Sequence, residues 1–169
     1  MIPQTNWVDR KFNFNFPVAF FPMIVERLVG TPLRIEEMTT GISPAILTRR
    51  ERESWSIQEH AGHLIDLEEL HNGRIDNFLE RATLLMAWDA GNKKTYEANH
   101  NARSIGEIQE AFRKGRIAFV ERMIDADEHL LSRSAMHPRL KVPMRLVDMA
   151  YFVAEHDDHH LARMRALMH

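Results

Sequence analysis

The sequence predicts an all-α protein folded as a four-helix bundle. Apolar residues recur at helical spacing along four long segments, and two of these begin with the Ser-x-x-Glu pattern of a capped helix start. No convincing run of strand patterns recurs along the chain. A length of 169 residues, 44% hydrophobic and 27% charged, predicts one globular domain over residues 1–169.

The N-terminal segment, residues 1–16, is expected to form an arm ahead of the bundle. Phe12, Phe14 and Phe16 alternate with polar residues, which favours an extended piece with one apolar face. A first helix is predicted to follow over residues 17–29. Its expected buried face consists of Phe20, Phe21, Ile24, Val25 and Leu28.

Two prolines bear on where the first helical pieces begin. Pro22 suits the first turn of a helix, so the first helix starts either near residue 17 or at this proline. Thr31 followed by Pro32 has the pattern of an N-cap and a proline at the first helical position. We therefore expect a second helical piece to restart there and to end near Gly41.

Two capping boxes predict the starts of the second and third main helices. One begins at Ser56 and precedes a helical pattern over residues 57–79. The other begins at Ser104 and precedes a pattern over residues 105–125. In each box the serine and the glutamate three residues later bind backbone N–H groups that the helix leaves free.

The last main helix is predicted over residues 144–168. Residues 80–103 and 126–143 interrupt the helical patterns with glycine, proline and asparagine, so we expect two long connections there. Long connections in a compact domain are often functional. We therefore expect these two to border the functional site.

Two histidines on the last helix provide the main indication of chemistry. His156 and His160 are four residues apart, which places both imidazoles on one face of a helix. Buried polar groups need partners, and a divalent metal ion is such a partner for imidazoles. A single histidine on an apolar helix face is usually a core residue with ordinary hydrogen-bond partners. A pair of histidines at this spacing is more often a metal site than a single one is. The apolar stripe that they interrupt consists of Leu146, Met149, Val153, Met164 and Leu167.

A third ligand is available on the second main helix. His63 is favoured over His60, because His60 lies in the first turn after the cap. Gly62 beside it would permit close approach of another helix. His159 points to the flank of the stripe and is the weaker candidate. The predicted metal ligands are therefore His63, His156 and His160.

The remaining titratable residues are expected to have ordinary structural roles. Asp66 could orient a metal-binding imidazole or act as a general base, but it is expected to be an ordinary surface carboxylate. Asp157 and Asp158 are likewise expected on a solvated face, although either could orient an imidazole. Glu68, Glu69 and Arg74 fit surface ion pairs. Trp55 is expected to pack beneath the helix start. His71 is expected to lie outside the site, and His100 and His137, in the predicted connections, are expected to be ordinary exposed histidines.

Three imidazoles would leave open positions on an ion for water or substrate. Zinc, nickel and iron all accept imidazole, with zinc or nickel as the first expectation. The chain has no cysteine, which excludes thiolate ligands, disulfides and a cysteine nucleophile. No catalytic residue is assigned from the sequence.

Charge and hydropathy exclude several functional classes. The net charge is -2 and no long basic block is present, so neither nucleic acid nor a membrane surface is an expected partner. The N-terminus lacks the pattern of a signal peptide, and no apolar run reaches membrane-spanning length. A cytoplasmic location is the resulting expectation.

Two segments resemble the DinB family. They are Trp55–Leu64, with the sequence WSIQEHAGHL, and Ala154–Leu161, with AEHDDHHL; Leu28–Pro32 also fits. The resemblance spans nearly the whole chain. It implies an up-down-down-up four-helix bundle with three histidine ligands, which correspond residue by residue to the three named above. It also implies that the chain could form a homodimer, as many members do.

The resemblance leaves three functions open. Members resemble metal-dependent hydrolases acting on small molecules through metal-activated water. Some branches are transferases or isomerases that use a low-molecular-weight thiol, bound to the metal as thiolate. A third possibility is a non-catalytic stress-response or binding protein with a structural metal, which would normally have a fourth protein ligand. A basic pocket would favour the thiol transferase, with Arg103, Arg139 and Arg145 as candidates.

Overall fold

The computed structural model describes residues 4–52 and 54–168, and most of these residues are helical. The helices are α1 (Phe21–Thr39), α2 (Pro44–Leu47), α3 (Ile57–Asp66), α4 (Glu68–Leu79), α5 (Lys93–Glu97), α6 (Ile105–Ile124), α7 (Glu128–Leu131) and α8 (Leu146–Ala166). Short 3-10 turns span Trp7–Asp9, Val18–Phe20 and His100–Ala102. None of the helices within the described ranges is long and apolar enough to cross a membrane.

Both predicted capping boxes are confirmed. Ser56 Oγ accepts a hydrogen bond from the Glu59 N–H at 3.1 Å, and the Glu59 carboxylate accepts one from the Ser56 N–H at 2.9 Å. Ser104 and Glu107 form the same pair of bonds at the start of α6. The helix predicted over residues 57–79 is divided at Leu67, so α3 and α4 together make the second main helix.

The expectation of two helical pieces before residue 41 is wrong, because α1 runs without a break through Pro32. Thr31 is not an N-cap. Its buried hydroxyl donates to the Arg27 carbonyl oxygen at 3.0 Å and lies 2.8 Å from Asp157 Oδ2, so it binds within the helix and across to α8. The expected burial of Phe20 is also wrong: it is 45% exposed and precedes the helix.

The four main helical segments form a bundle whose neighbours are clear from their contacts. The helix α1 contacts α6 and α8, and the α3–α4 segment contacts the same two helices. The second and fourth main helices are therefore adjacent, as predicted from the histidines. Two clusters of buried apolar side chains fill the bundle, one including Leu28, Phe78, Phe119 and Met149 and the other including Ile57, Leu64, Phe112 and Met164.

A buried ion-pair network joins the main helices. Arg116 on α6 donates to Glu68 Oε1 on α4 at 2.9 Å and to both carboxylate oxygens of Asp157 on α8. Its side chain is 1% exposed. Glu68 and Asp157 were expected on the surface, and the structure corrects both. Both carboxyl groups are tolerated inside the bundle because Arg116 forms hydrogen bonds with each of them.

The two long connections contain some short regular structure. The segment after α4 includes α5, and the segment after α6 includes α7 and a strand, β1 (Ser134–Met136). This strand pairs antiparallel with β2 (Pro143–Arg145), just before α8. The sequence did not predict this hairpin, whose strands are three residues each. The predicted arm is largely irregular over residues 4–16, and its Phe12 and Phe14 pack against the apolar core.

Candidate metal centre

The three histidines predicted from spacing lie together. His63 is on α3, and His156 and His160 are one turn apart on α8. Each offers one ring nitrogen, and the three nitrogens lie within 4.8 Å of one another. All three side chains are buried. Imidazoles from two helices thus converge in a compact nitrogen cluster.

Hydrogen bonds fix which nitrogens face the cluster. His63 Nδ1 is 2.9 Å from Thr95 Oγ1, which leaves its Nε2 free. The Nε2 atoms of His156 and His160 are 3.1 Å apart, and His160 Nδ1 is 2.9 Å from His60 Nδ1. A hydroxyl that accepts from the Nδ1–H of His63 would hold the tautomer in which Nε2 carries a lone pair.

Burial keeps these imidazoles neutral. It lowers the pKa of His63 to about 4 and lowers the pKa of His156 and His160 well below the usual value. The main cause is loss of hydration of the charged form, followed for the α8 pair by the proximity of other histidines. Neutral imidazoles have lone pairs available for a metal ion at pH 7.

The donor set fits a divalent cation. Three ring nitrogens of buried, neutral imidazoles converge, and neutral imidazole is a good ligand for such ions. Within the same described part of the chain, no fourth His, Asp or Glu joins the cluster. Such a set would leave coordination positions for other ligands, which is the pattern of catalytic rather than structural zinc sites.

A cavity of about 530 Å³ adjoins the three histidines. As expected, both long connections border it, the first through Ala87, Trp88 and Asn92 and the second through residues 137–139. The volume is suited to a small organic molecule. The other lining residues come from the arm, the helices and the start of α3: Trp7, Val8, Trp55, His63, Leu67, Leu70, His71, Arg74, Ala90, Phe152, His156, His159 and His160.

Two tryptophans pack on the histidine cluster. The Trp7 ring lies edge-on to His156, with ring centroids 4.8 Å apart, and the Trp55 centroid is 4.6 Å from that of His63. Trp55 thus does more than anchor the helix start, since it forms part of the cavity wall. These rings restrict the imidazoles to their observed orientation and shield them from water.

Several other histidines are buried close to the cluster or in the connections. His60 and His159 adjoin the cluster without joining it. His100 and His137 were expected to be exposed, and they are 1% and 2% exposed. His71 is buried and lines the cavity.

The space beside Gly62 is filled by a histidine ring and not by the other helix that had been expected there. A Cβ at this position would lie 2.2 Å from His100 Cγ, so only glycine leaves room for that imidazole. His100 Nε2 is in turn 2.8 Å from Asp66 Oδ2. Asp66 is therefore not the surface carboxylate that was expected, because it binds a buried ring of the first long connection.

The three arginines considered for a basic pocket have different positions. Only Arg139 lines the cavity. Arg145 is bound by Asp148 and by the carbonyl oxygens of residues 14 and 16. Arg103 precedes the capping box of α6, and its Nη2 donates to the Glu107 carbonyl oxygen at 3.5 Å. A fourth arginine, Arg74, was expected in a surface ion pair but is buried at the cavity.

One signal could have identified several of the cavity residues that sequence reasoning missed. Leu67, Leu70, His71 and Arg74 lie four, seven, eight and eleven residues after His63, which is the spacing of one helix face. No comparable periodicity marks the residues contributed by the arm and the connections.

Comparison with known proteins identifies a family and a similar solved structure. The family model of the DinB superfamily matches residues 27–164. The structure of YfiT from Bacillus subtilis, which is described as a probable metal-dependent hydrolase with an unusual four-helix bundle topology, aligns with a TM-score of 0.80 and 15% sequence identity. The alignment covers 94% of this chain and 91% of that chain. No curated protein matches the sequence.

Proposed function

This chain belongs to the DinB superfamily, and from that membership we propose that it is a metal-dependent enzyme with hydrolase-type chemistry on a small molecule. The observation that carries the proposal is the convergence of three neutral, buried imidazoles at the edge of a cavity of about 530 Å³. The description of the YfiT structure as a probable metal-dependent hydrolase supports it.

The proposed ligands are His63, His156 and His160, and the ion is divalent: zinc or nickel first, iron as an alternative. Such an ion would lower the pKa of water and polarise a carbonyl group of the substrate. The protein would contribute orientation and exclusion of water. Thr95 fixes the ring of His63, and Trp7 and Trp55 cover the cluster.

We also propose that the bundle is up-down-down-up and that residues 1–169 form one domain. Polar contacts between helices support the directions. Arg27 and Arg34 of α1 contact Glu155 and Asp158 of α8 in the same order, which fits parallel helices. On α4 and α6, Glu68 contacts Arg116 and Asp76 contacts Arg122, again in the same order, which fits parallel second and third main helices. Homodimer formation and a cytoplasmic location stay predictions.

The metal assignment predicts a specific loss in variants. Protein purified without an affinity tag should contain close to one divalent ion per chain, and His63→Ala, His156→Ala or His160→Ala should each lose most of it. The fold should remain, because a bundle of this size has a core that does not depend on an ion, unlike a zinc finger. The measurements are elemental analysis and thermal melting.

His129→Ala is the matched control, because His129 is exposed on α7 and lies outside the cavity. It should retain the ion. Full retention in all three cluster variants would refute the ligand assignment. Global unfolding of those variants would instead favour a structural metal.

Activity should be sought with panels of ester and amide substrates. The proposal expects hydrolysis that is lost with a chelator, restored by zinc or nickel, and reduced in the three cluster variants but not in the His129 control. A metal-loaded protein that hydrolyses nothing in these panels, and transfers no thiol, would favour the non-catalytic alternative.

A thiol-dependent transferase or isomerase is the second candidate. The observation that favours it is the position of Arg139, which brings a cationic group to the cavity beside Arg74. A low-molecular-weight thiol with carboxylate groups would find both a metal and basic side chains there. A panel that pairs such thiols with electrophiles separates the two reactions.

A further inference from the structure

A second polar region of the cavity has no role in the hydrolytic chemistry proposed above. It consists of Arg74 on α4 with His137 and Arg139 on the second long connection, here called the basic cluster. All three side chains line the same cavity as the histidines. The arrangement is unusual because two arginines meet there without an acidic partner among the described residues.

Arg74 is a buried cation with one hydrogen bond. Its side chain is 2% exposed, and its Nε donates to the Met86 carbonyl oxygen at 3.0 Å. No carboxylate of residues 4–52 or 54–168 pairs with it. Burial, together with the neighbouring charge of Arg139, lowers the pKa of Arg74 to about 10. A buried guanidinium of this kind normally has an anionic partner.

Arg139 has an unused donor. Its Nη1 donates to the Val8 carbonyl oxygen at 3.2 Å, whereas its Nη2 is buried and has no partner in the described part of the chain. The guanidinium lies 5.7 Å from the ring centre of Phe152 and 5.9 Å from that of Trp7. These aromatic faces hold the group at the cavity while leaving its N–H bonds available.

His137 provides a third donor. Its Nδ1 accepts from the backbone N–H groups of Arg139 at 3.2 Å and Leu140 at 3.1 Å, so the ring proton belongs on Nε2. That Nε2 is buried and unpartnered among the described residues. Burial, with the nearby charges of the two arginines, lowers the pKa of His137 to about 3, so the ring is neutral and its Nε2–H is a donor.

The basic cluster therefore presents only donors, two of them charged, to the interior of a cavity. Guanidinium groups match the paired oxygens of carboxylates and phosphates. We propose that the basic cluster binds the carboxylate or phosphate group of an acidic small molecule, whose remaining part extends toward the three histidines. This inference rests on the proposed function, because it assigns a substrate class to the same cavity.

The spacing of the two regions suits such a substrate. Arg74 follows His63 by about three helical turns on the α3–α4 segment, or roughly 16 Å along the axis. His137 contacts Phe152, one turn before His156 on α8, with ring centroids 5.2 Å apart. An elongated molecule of moderate size could thus place its anionic group at one region and its reacting bond at the other.

Binding can be measured without any metal. All three tryptophans of the chain line the cavity, so their fluorescence reports on its occupancy. The probes are phenylacetate, phenylphosphonate and the neutral phenylacetamide, titrated into chelator-treated protein. At least one anion should bind about tenfold or more tightly than the amide, as expected for charge-assisted hydrogen bonds.

Arginine variants provide the decisive comparison. Arg74→Gln and Arg139→Gln should each weaken binding of the preferred anion about tenfold and leave that of the amide unchanged. Arg165→Gln removes the same charge from an exposed position on α8 and should have no effect. Thermal melts verify folding, and Arg139→Gln alone decides the matter if Arg74→Gln does not fold, because Arg139 is only half-buried.

Each outcome has a defined meaning. A preference for phenylacetate or for phenylphosphonate supports the inference and identifies the group. Equal affinity for the amide, or anion binding that survives both arginine replacements, overturns it. Because the protein is metal-free, these results do not depend on the proposed reaction. If the unmodified protein does not bind a metal ion, the proposed function is refuted, but an anion site measured in this way still stands.

Discussion

At the residue scale, two deeply buried arginines differ in how their charges are compensated. Arg116 is as deeply buried as Arg74, but it is paired with Glu68 and Asp157. Arg74 has only a backbone carbonyl oxygen. A paired buried cation maintains the fold, whereas an unpaired one raises the free energy of the folded state until a ligand arrives.

This contrast predicts opposite sensitivities to mutation. Arg116→Met should lower the free energy of unfolding by about 3–5 kcal/mol, because it leaves two buried carboxylates without a cation. Arg74→Met should change it by less than about 1 kcal/mol, because removal of an unpaired charge offsets the lost hydrogen bond. Urea denaturation of both variants provides the measurement. An equal loss in both would mean that Arg74 is a structural residue.

At the element scale, local patterns predicted helix starts better than helix continuity. The boxes at Ser56 and Ser104 were identified because a cap uses residues close in sequence. The pattern at Thr31 and Pro32 has the same local chemistry, yet α1 continues through it. The reason is tertiary: the threonine hydroxyl binds Asp157 on α8, and the packing of α1 on α6 and α8 keeps the helix intact across the proline.

Two glycines on helices provide the next prediction. Gly62→Ala should lower the free energy of unfolding by about 1–3 kcal/mol, because its Cβ would overlap the buried ring of His100. Gly30→Ala on α1 should raise it by about 0.5–1 kcal/mol, because nothing lies within 4 Å of the added methyl group and alanine favours the helix.

Chemical denaturation of the two alanine variants, side by side with the unmodified chain, provides the test. The Gly30 variant serves as the control for a glycine-to-alanine change in a helix. A Gly62 variant that is as stable as the Gly30 variant would show that His100 can leave its position without cost. The packing described for the first long connection would then be wrong.

At the scale of the whole molecule, the sequence predicted the bundle, the proximity of three histidines and the two connections beside them, but not which side chains form the cavity wall. Helical periodicity is local, so it could place His156 and His160 on one face and select His63 on another helix. The positions of Trp7, of residues 137–139 and of His100 depend on how irregular segments fold over the bundle. No short-range pattern encodes that path, and exposed loops were expected where buried side chains are found.

The many buried neutral histidines predict a steep loss of stability in acid for the metal-free protein. Burial lowers the pKa of His60 and His137 to about 3 and that of His63 and His159 to about 4, from about 6.5 in the unfolded chain. Between those values the unfolded chain binds more protons, so stability falls as pH drops below about 6.5 and is constant above it. The urea midpoint should therefore be flat from pH 7 to 8 and decrease sharply toward pH 5. His137→Gln should make the urea midpoint less dependent on pH, whereas His129→Gln, at an exposed position, should leave that dependence unchanged. A midpoint that does not change between pH 5 and pH 7 would contradict the burial of neutral rings.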